Sequence, residues 1–131
     1  MSEGVTSTME ATVLIVDDDP RFRTLIRKIA AGEPDLHVVG EAEDGAEAIR
    51  CTHELLPDIV LLDLAMPGVN GLEATLRIKA EHPEVKVIIV TVHTEDTYRR
   101  AAEDSGADAF LLKKTLMTVL LPTIRRMRSP C

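Results

Sequence analysis

A chain of 131 residues, 45% hydrophobic and 28% charged, has the size and balance of one globular domain whose core needs no staples. Aromatic residues are only 2% of the chain, with no Trp, so the core must be aliphatic. The net charge of −7 argues against general affinity for nucleic acid phosphates or anionic lipid, and no apolar stretch approaches the roughly 18 residues that span a membrane.

Residues 1–10, MSEGVTSTME, lack the basic start and apolar run of a signal peptide. They are expected to be a disordered polar lead on a cytoplasmic protein. Residues 13–17 then form a short apolar run ending in acid, the pattern of a strand buried on both faces. Asp19-Pro20 predicts an N-cap followed by Pro at the first helical position. Phe22, Leu25, Ile26 and Ile29 give that helix one apolar face, and Gly32 is expected to stop it.

A weaker strand is predicted over 36–41. Asp44 and Glu47 form a capping box for a second helix reaching about Leu56, ahead of Pro57. The third strand is predicted over Asp58–Asp63, with Met66-Pro67-Gly68 as a loop. Asn70 and Glu73 repeat the capping pattern for a third helix carrying Leu72 and Leu76. Lys86–Thr91 reads as the fourth strand, rich in Val and Ile. Thr94 is expected to start a fourth helix, poor in large apolar groups, that Gly106 ends. Ala109–Leu112 is the fifth strand, and the last helix ends near Met127. Residues 128–131 form a tail.

Short apolar strands alternating with helices imply βαβ units, right-handed crossovers and a parallel sheet covered on both faces. In such a sheet, ligands bind beyond the carboxyl ends of the strands. Those ends carry Asp17-Asp18-Asp19, Asp63, Thr91 and Lys113. Carboxylates, a hydroxyl and an ammonium gathered there make a site for a divalent cation and a phosphoryl group. Two carboxylates about 5 Å apart repel by roughly 3 kcal/mol at an effective dielectric near 20, so such a pocket is strained without a cation. Asp19 is accounted for by capping alone. Cys51 and Cys131 show no CxxC pairing, and no His lies at zinc spacing in the sequence. His37, His53, His82 and His93 read as surface or loop residues.

The blocks VLIVDDDP, LLDLAMPGVNG, IIVT and GADAFLLKK, in that order, resemble the signatures of the response regulator receiver domain. The resemblance covers roughly residues 11–127. It implies a doubly wound (βα)5, flavodoxin-like α/β fold with five parallel strands in order 2-1-3-4-5. It further implies that Asp63 is the phosphoacceptor, taking a phosphoryl group from a phosphohistidine on a sensor histidine kinase or phosphotransfer protein. Mg²⁺ would be bound by Asp18 and Asp63, by Asp17 through water, and by the main-chain carbonyl of Ala65. Thr91 and Lys113 would hold phosphoryl oxygens, and Thr91 with Phe110 would form the switch. His93 matches a position that tunes the lifetime of the acyl phosphate.

Three departures from the family pattern stand out. Val92 replaces the usual small residue after the Thr, and its bulk is expected to narrow access to Asp63. Lys114 replaces the frequent Pro after the Lys, so no cis peptide is expected there. Pro122 falls inside the last helical pattern, so the helix either starts near Thr118 or is kinked. Leu116, Met117, Val119, Leu120 and Leu121 exceed what one buried face needs. Some of them are expected on an exposed face formed with the fourth helix and fifth strand, a surface for homodimers or partners.

The segments VVGEAEDGAEAI and GLEATLRIKAEHPEVKVIIVT look most like receivers joined to a helix-turn-helix output domain, which these residues do not include. The expected function is therefore a phosphorylatable signalling switch rather than an enzyme acting on an outside substrate. No direct nucleic acid or membrane binding is expected of the domain. The rival reading is a phosphorylation-independent interaction module of the same fold. A metal-dependent phosphatase is weaker, because its paired acids belong on one strand end, and a flavin protein lacks its phosphate-cradling loop here.

Overall fold

Leu14, Val16, Val60, Leu62, Val87 and Ile89 pack on one side of a parallel sheet, while Val13, Ile15, Ile59, Leu61, Ile88 and Val90 pack on the other. Side chains alternate across a strand, so an unbroken aliphatic run is stable only where both faces are covered. The computed structural model describes residues 10–64, 68 and 70–128. The expected N-terminal lead, apart from Glu10, the Ala65-Met66-Pro67 segment and residues 129–131 lie outside them.

The described residues form β1 (Ala11–Val16), α1 (Pro20–Ala31), β2 (Leu36–Ala42), α2 (Gly45–Leu55), β3 (Ile59–Asp63), α3 (Gly71–Glu81), β4 (Lys86–Thr91), α4 (Asp96–Asp104), β5 (Ala109–Leu112), a 3₁₀ turn (Lys113–Thr115) and α5 (Leu116–Arg128). All pairings are parallel and the order is β2-β1-β3-β4-β5, as expected. Ile26 and Ala30 of α1 and Leu116, Leu120 and Ile124 of α5 cover one face. Ala48 of α2, Ala74 and Ile78 of α3 and Ala102 of α4 cover the other.

The caps follow the sequence closely. Asp19 accepts from the Arg21 N–H at 2.9 Å, Asp44 from the Glu47 N–H at 2.8 Å and Asn70 from the Glu73 N–H at 3.0 Å. Each satisfies an orphan donor of a first turn. The return arm of the box at Glu47 reaches one residue further back, to the Glu43 N–H at 2.8 Å. Gly106, with φ +96, closes α4 in a conformation other residues resist.

Several local expectations shift. Leu25 of α1 and Leu76 of α3 leave the apolar faces assigned to them, being 36% and 54% exposed; α3 instead buries Gly71, Ala74, Thr75 and Ile78. α4 starts at Asp96 rather than Thr94, on Glu95, whose side chain makes no cap hydrogen bond. Among the described residues Ala102 is the one buried position in α4, so little apolar burial holds this helix down.

The largest correction concerns α5. It begins at Leu116 and runs through Pro122, which excludes a start near Thr118. Burial of Leu116, Leu120 and Ile124 at helical spacing outweighs the donor lost at Pro122. Met117 is the apolar residue left outside, at 67% exposure, while Val119 and Leu121 are half-buried. No cis peptide bond occurs among the described residues, as expected beyond Lys113.

Candidate functional site

Parallel pairing in register brings the strand ends to one rim. Val16 pairs with Leu62, Asp63 with Val90, and Thr91 with Leu112. Asp17 therefore follows β1 beside the end of β3, where Asp63 sits, and Lys113 follows β5 beside Thr91. One carboxylate oxygen from each of Asp17, Asp18 and Asp63 lies within 4.8 Å of the others.

The three acids are not equivalent. Asp17 is 0% exposed and Asp63 8%, whereas Asp18 stands in solvent. Burial makes an uncompensated carboxylate costly, and the structure supplies partners for Asp17. Its Oδ2 accepts from Lys113 Nζ at 2.7 Å and its Oδ1 from the Asp19 N–H at 2.8 Å. The same Lys113 Nζ is 3.8 Å from Asp63 Oδ2. One ammonium thus serves two carboxylates, with Asp17 the closer.

Thr91 is fully buried, and its Oγ1 accepts from the His93 N–H at 3.2 Å, a local turn that fixes the hydroxyl. His93 stacks on Tyr98 with ring centroids 4.4 Å apart. Val92 is 67% exposed. Phe110 is half-buried on β5, with the Arg99 guanidinium carbon 4.9 Å from its ring centroid. Ala65 lies outside the described residues.

Three supporting residues were not assigned a role at the site from sequence. Gly71 N–H donates to the Leu64 carbonyl at 3.0 Å, and a Cβ there would stand 2.4 Å from the Asp63 carbonyl oxygen. Only glycine lets α3 begin this close to Asp63. Phe22, expected only as part of an apolar helix face, places its ring centroid 4.2 Å from Lys113 Nζ. Arg23 donates to the Asp17 carbonyl at 2.6 Å and to Glu41 Oε1 at 2.8 Å, tying the acidic loop to β2. A glycine beside a cap was a visible signal for the first; the other two depend on contacts between distant positions.

The donor set suits a hard divalent cation. Mg²⁺ takes oxygen ligands, keeps several waters and is held by one or two carboxylates, which this pocket offers without sulfur or imidazole. Among the described residues no helix is long and apolar enough to cross a membrane. Cys51 is half-buried, and burial pushes its thiol pKa up, away from reactivity.

Comparison with known proteins bears on the family and the fold. The family model for the response regulator receiver domain matches residues 13–125. Response regulator GacA of Pseudomonas viridiflava is 40% identical over 113 residues, covering 86% of this chain and 53% of that protein. Response regulator protein VraR of Staphylococcus saprophyticus is 39% identical over 118 residues, covering 90% of this chain and 56% of that protein. The chain thus spans about half the length of these curated relatives. The crystal structure of a LuxR-family two-component response regulator from Aurantimonas sp. SI85-9A1 superposes with a TM-score of 0.86 at 33% identity, covering 91% of this chain and 85% of that one.

Proposed function

The chain belongs to the response regulator receiver domain family, and we propose that it is a Mg²⁺-dependent phosphorylation switch with Asp63 as its phosphoacceptor. The carrying observation is the sharing of Lys113 between Asp17 and Asp63, with Asp18 in reach on the same rim.

In the proposed reaction an Asp63 carboxylate oxygen attacks the phosphorus of a phosphohistidine on a sensor kinase or phosphotransfer protein. The N–P bond breaks, its electron pair leaves on the imidazole nitrogen, and an acyl phosphate forms. Asp18 and Asp63 would hold Mg²⁺, with Asp17 acting through water and, by the family resemblance, the Ala65 carbonyl as a further ligand. When bound there, such a cation would supply positive charge against the phosphoryl oxygens. Lys113 neutralises a second oxygen, needing only a short swing from Asp17. Thr91 turns its hydroxyl from the His93 N–H to a third. Val92 and His93 flank this path and tune the rate at which water reaches the acyl phosphate.

Inward movement of Thr91 is coupled to Phe110, which must give up its contact with Arg99 to follow. α4, held by little buried apolar surface, is the element free to respond. The output face is formed by α4, β5 and α5 and receives a partner protein or a second copy of the chain, and Met117 of α5 is an exposed large apolar side chain. The receiver spans residues 11–127, works in the cytoplasm and changes no outside substrate.

The test is incubation with a small acyl phosphate donor, with and without Mg²⁺, read by intact mass and peptide mapping. One phosphoryl group on Asp63, dependent on Mg²⁺ and absent in Asp63→Ala, is expected. No mass gain on folded protein would favour the phosphorylation-independent module. Sedimentation with a phosphoryl mimic tests the surface: a monomer at all concentrations removes the dimer form of the proposal.

A further inference from the structure

On the opposite rim of the sheet, two helix ends bring imidazoles together. α2 runs into β3 and α3 into β4, so their carboxyl ends lie where the strands begin. His53 is in the last turn of α2, Glu81 is the last residue of α3, and His82 is its C-cap. One ligand atom from each lies within 4.8 Å of the others, and all three side chains reach solvent.

The spacing is informative. His53 Nδ1 and His82 Nε2 are 3.4 Å apart, with the rings tilted by 43°. Two nitrogens bound to tetrahedral zinc at about 2.05 Å stand about 3.4 Å apart, since 2 × 2.05 × sin(54.75°) gives that separation. The imidazoles, now within hydrogen-bond reach of each other, hold the distance a shared cation requires, so the ion would replace a shared proton, and a Glu81 carboxylate oxygen lies within 4.8 Å of both. Both flanking helices present their carbonyl ends, whose partial negative charge favours a cation.

We propose that His53, Glu81 and His82 form a surface site for one borderline divalent cation, of which Zn²⁺ is the probe, with water as its fourth ligand. The donors differ in kind from the all-oxygen pocket at the other rim, so the two sites select different metals. The ion would clamp α2 to α3, joining helices otherwise held by apolar packing. No spacing in the sequence suggested it, because the histidines come from separate helices.

The test uses the full chain and Zn²⁺, with calorimetry and thermal melts on wild type, His53→Ala, His82→Ala and Asp18→Asn. Wild type should bind one Zn²⁺ at this site, and a hundredfold excess over Kd should raise Tm by roughly 10 °C. Each His variant should weaken that binding by about tenfold or more, while Asp18→Asn leaves it intact. Zn²⁺ should shift the imidazole resonances of His53 and His82 and spare His37 and His93. Wild-type binding in the His variants, its loss in Asp18→Asn, equal shifts at all four histidines, or no saturable binding would overturn the proposal.

Discussion

Lys113 donates to Asp17 at 2.7 Å while standing 3.8 Å from Asp63, so the ammonium rests on the more deeply buried acid. In the proposed reaction, the charge that serves phosphoryl transfer is also the one that stabilises the pocket beforehand. Removing it separates the two duties.

Lys113→Met should destabilise the metal-free fold by roughly 3 kcal/mol, because it leaves the Asp17 carboxylate buried without its cation. Mg²⁺ should recover more stability in this variant than in wild type. Asp18→Asn should act in the opposite sense, raising the metal-free Tm and abolishing most of the gain from Mg²⁺, since it relieves repulsion among three acids. Thermal melts with and without Mg²⁺ check both. A Lys113→Met variant as stable as wild type would show that Asp17 is satisfied by other groups.

Gly71→Ala should cost about 1–3 kcal/mol, because a Cβ placed 2.4 Å from the Asp63 carbonyl forces the start of α3 away from β3. The displacement also moves Asp63, the proposed phosphoacceptor, so phosphorylation by a small donor should slow more than the stability loss explains. Urea denaturation and phosphorylation rates measured on the same sample separate these effects. Full activity with wild-type stability would mean the helix end yields freely.

Pro122→Ala should stabilise the protein by about 1–3 kcal/mol. It restores an N–H for the Thr118 carbonyl inside α5, and Pro122 is exposed, so no packing is lost. Chemical denaturation reads the gain. An unchanged midpoint would place the compensation for the missing donor elsewhere in the helix.

Acid should weaken the fold through two surface networks. Hydrogen bonding to Arg125 holds the Asp35 carboxyl below its usual range. Arg27, and then Arg23, hold Glu41 below its own against an opposing push from burial. Both folded pKa values lie below the unfolded ones, so their stabilisation is complete above about pH 5 and is lost as pH falls through the folded values. Arg125 also pairs with Glu33, fastening α5 to the turn before β2. Arg125→Met should flatten the acid limb of a plot of urea midpoint against pH. An unchanged limb would assign the acid sensitivity to other carboxylates.

Much of this molecule was legible in local pattern. Five aliphatic runs, three Asx caps and Gly106 gave the elements and a parallel βαβ sheet, while the strand order came from the resemblance to the receiver family. Asp17, Asp18, Asp63, Thr91 and Lys113 were legible too, because a residue at the carboxyl end of a parallel strand has only one rim to occupy. Local pattern failed where packing overrode propensity. α5 crosses Pro122 because Leu116, Leu120 and Ile124 need one continuous face, and Leu76 stays outside while α3 buries Gly71, Ala74, Thr75 and Ile78.

The sequence by itself determined which side chains reach the acidic rim, since strand periodicity and crossover handedness are encoded within each βαβ unit. The tertiary structure decided that Lys113 rests on Asp17, that Phe22 and Arg23 brace that arrangement, that Gly71 clears the Asp63 carbonyl, and that His53 meets His82. Those are distances between atoms of separate elements. They are set by how helices seat on the twisted sheet, and no local run of residues carries that information.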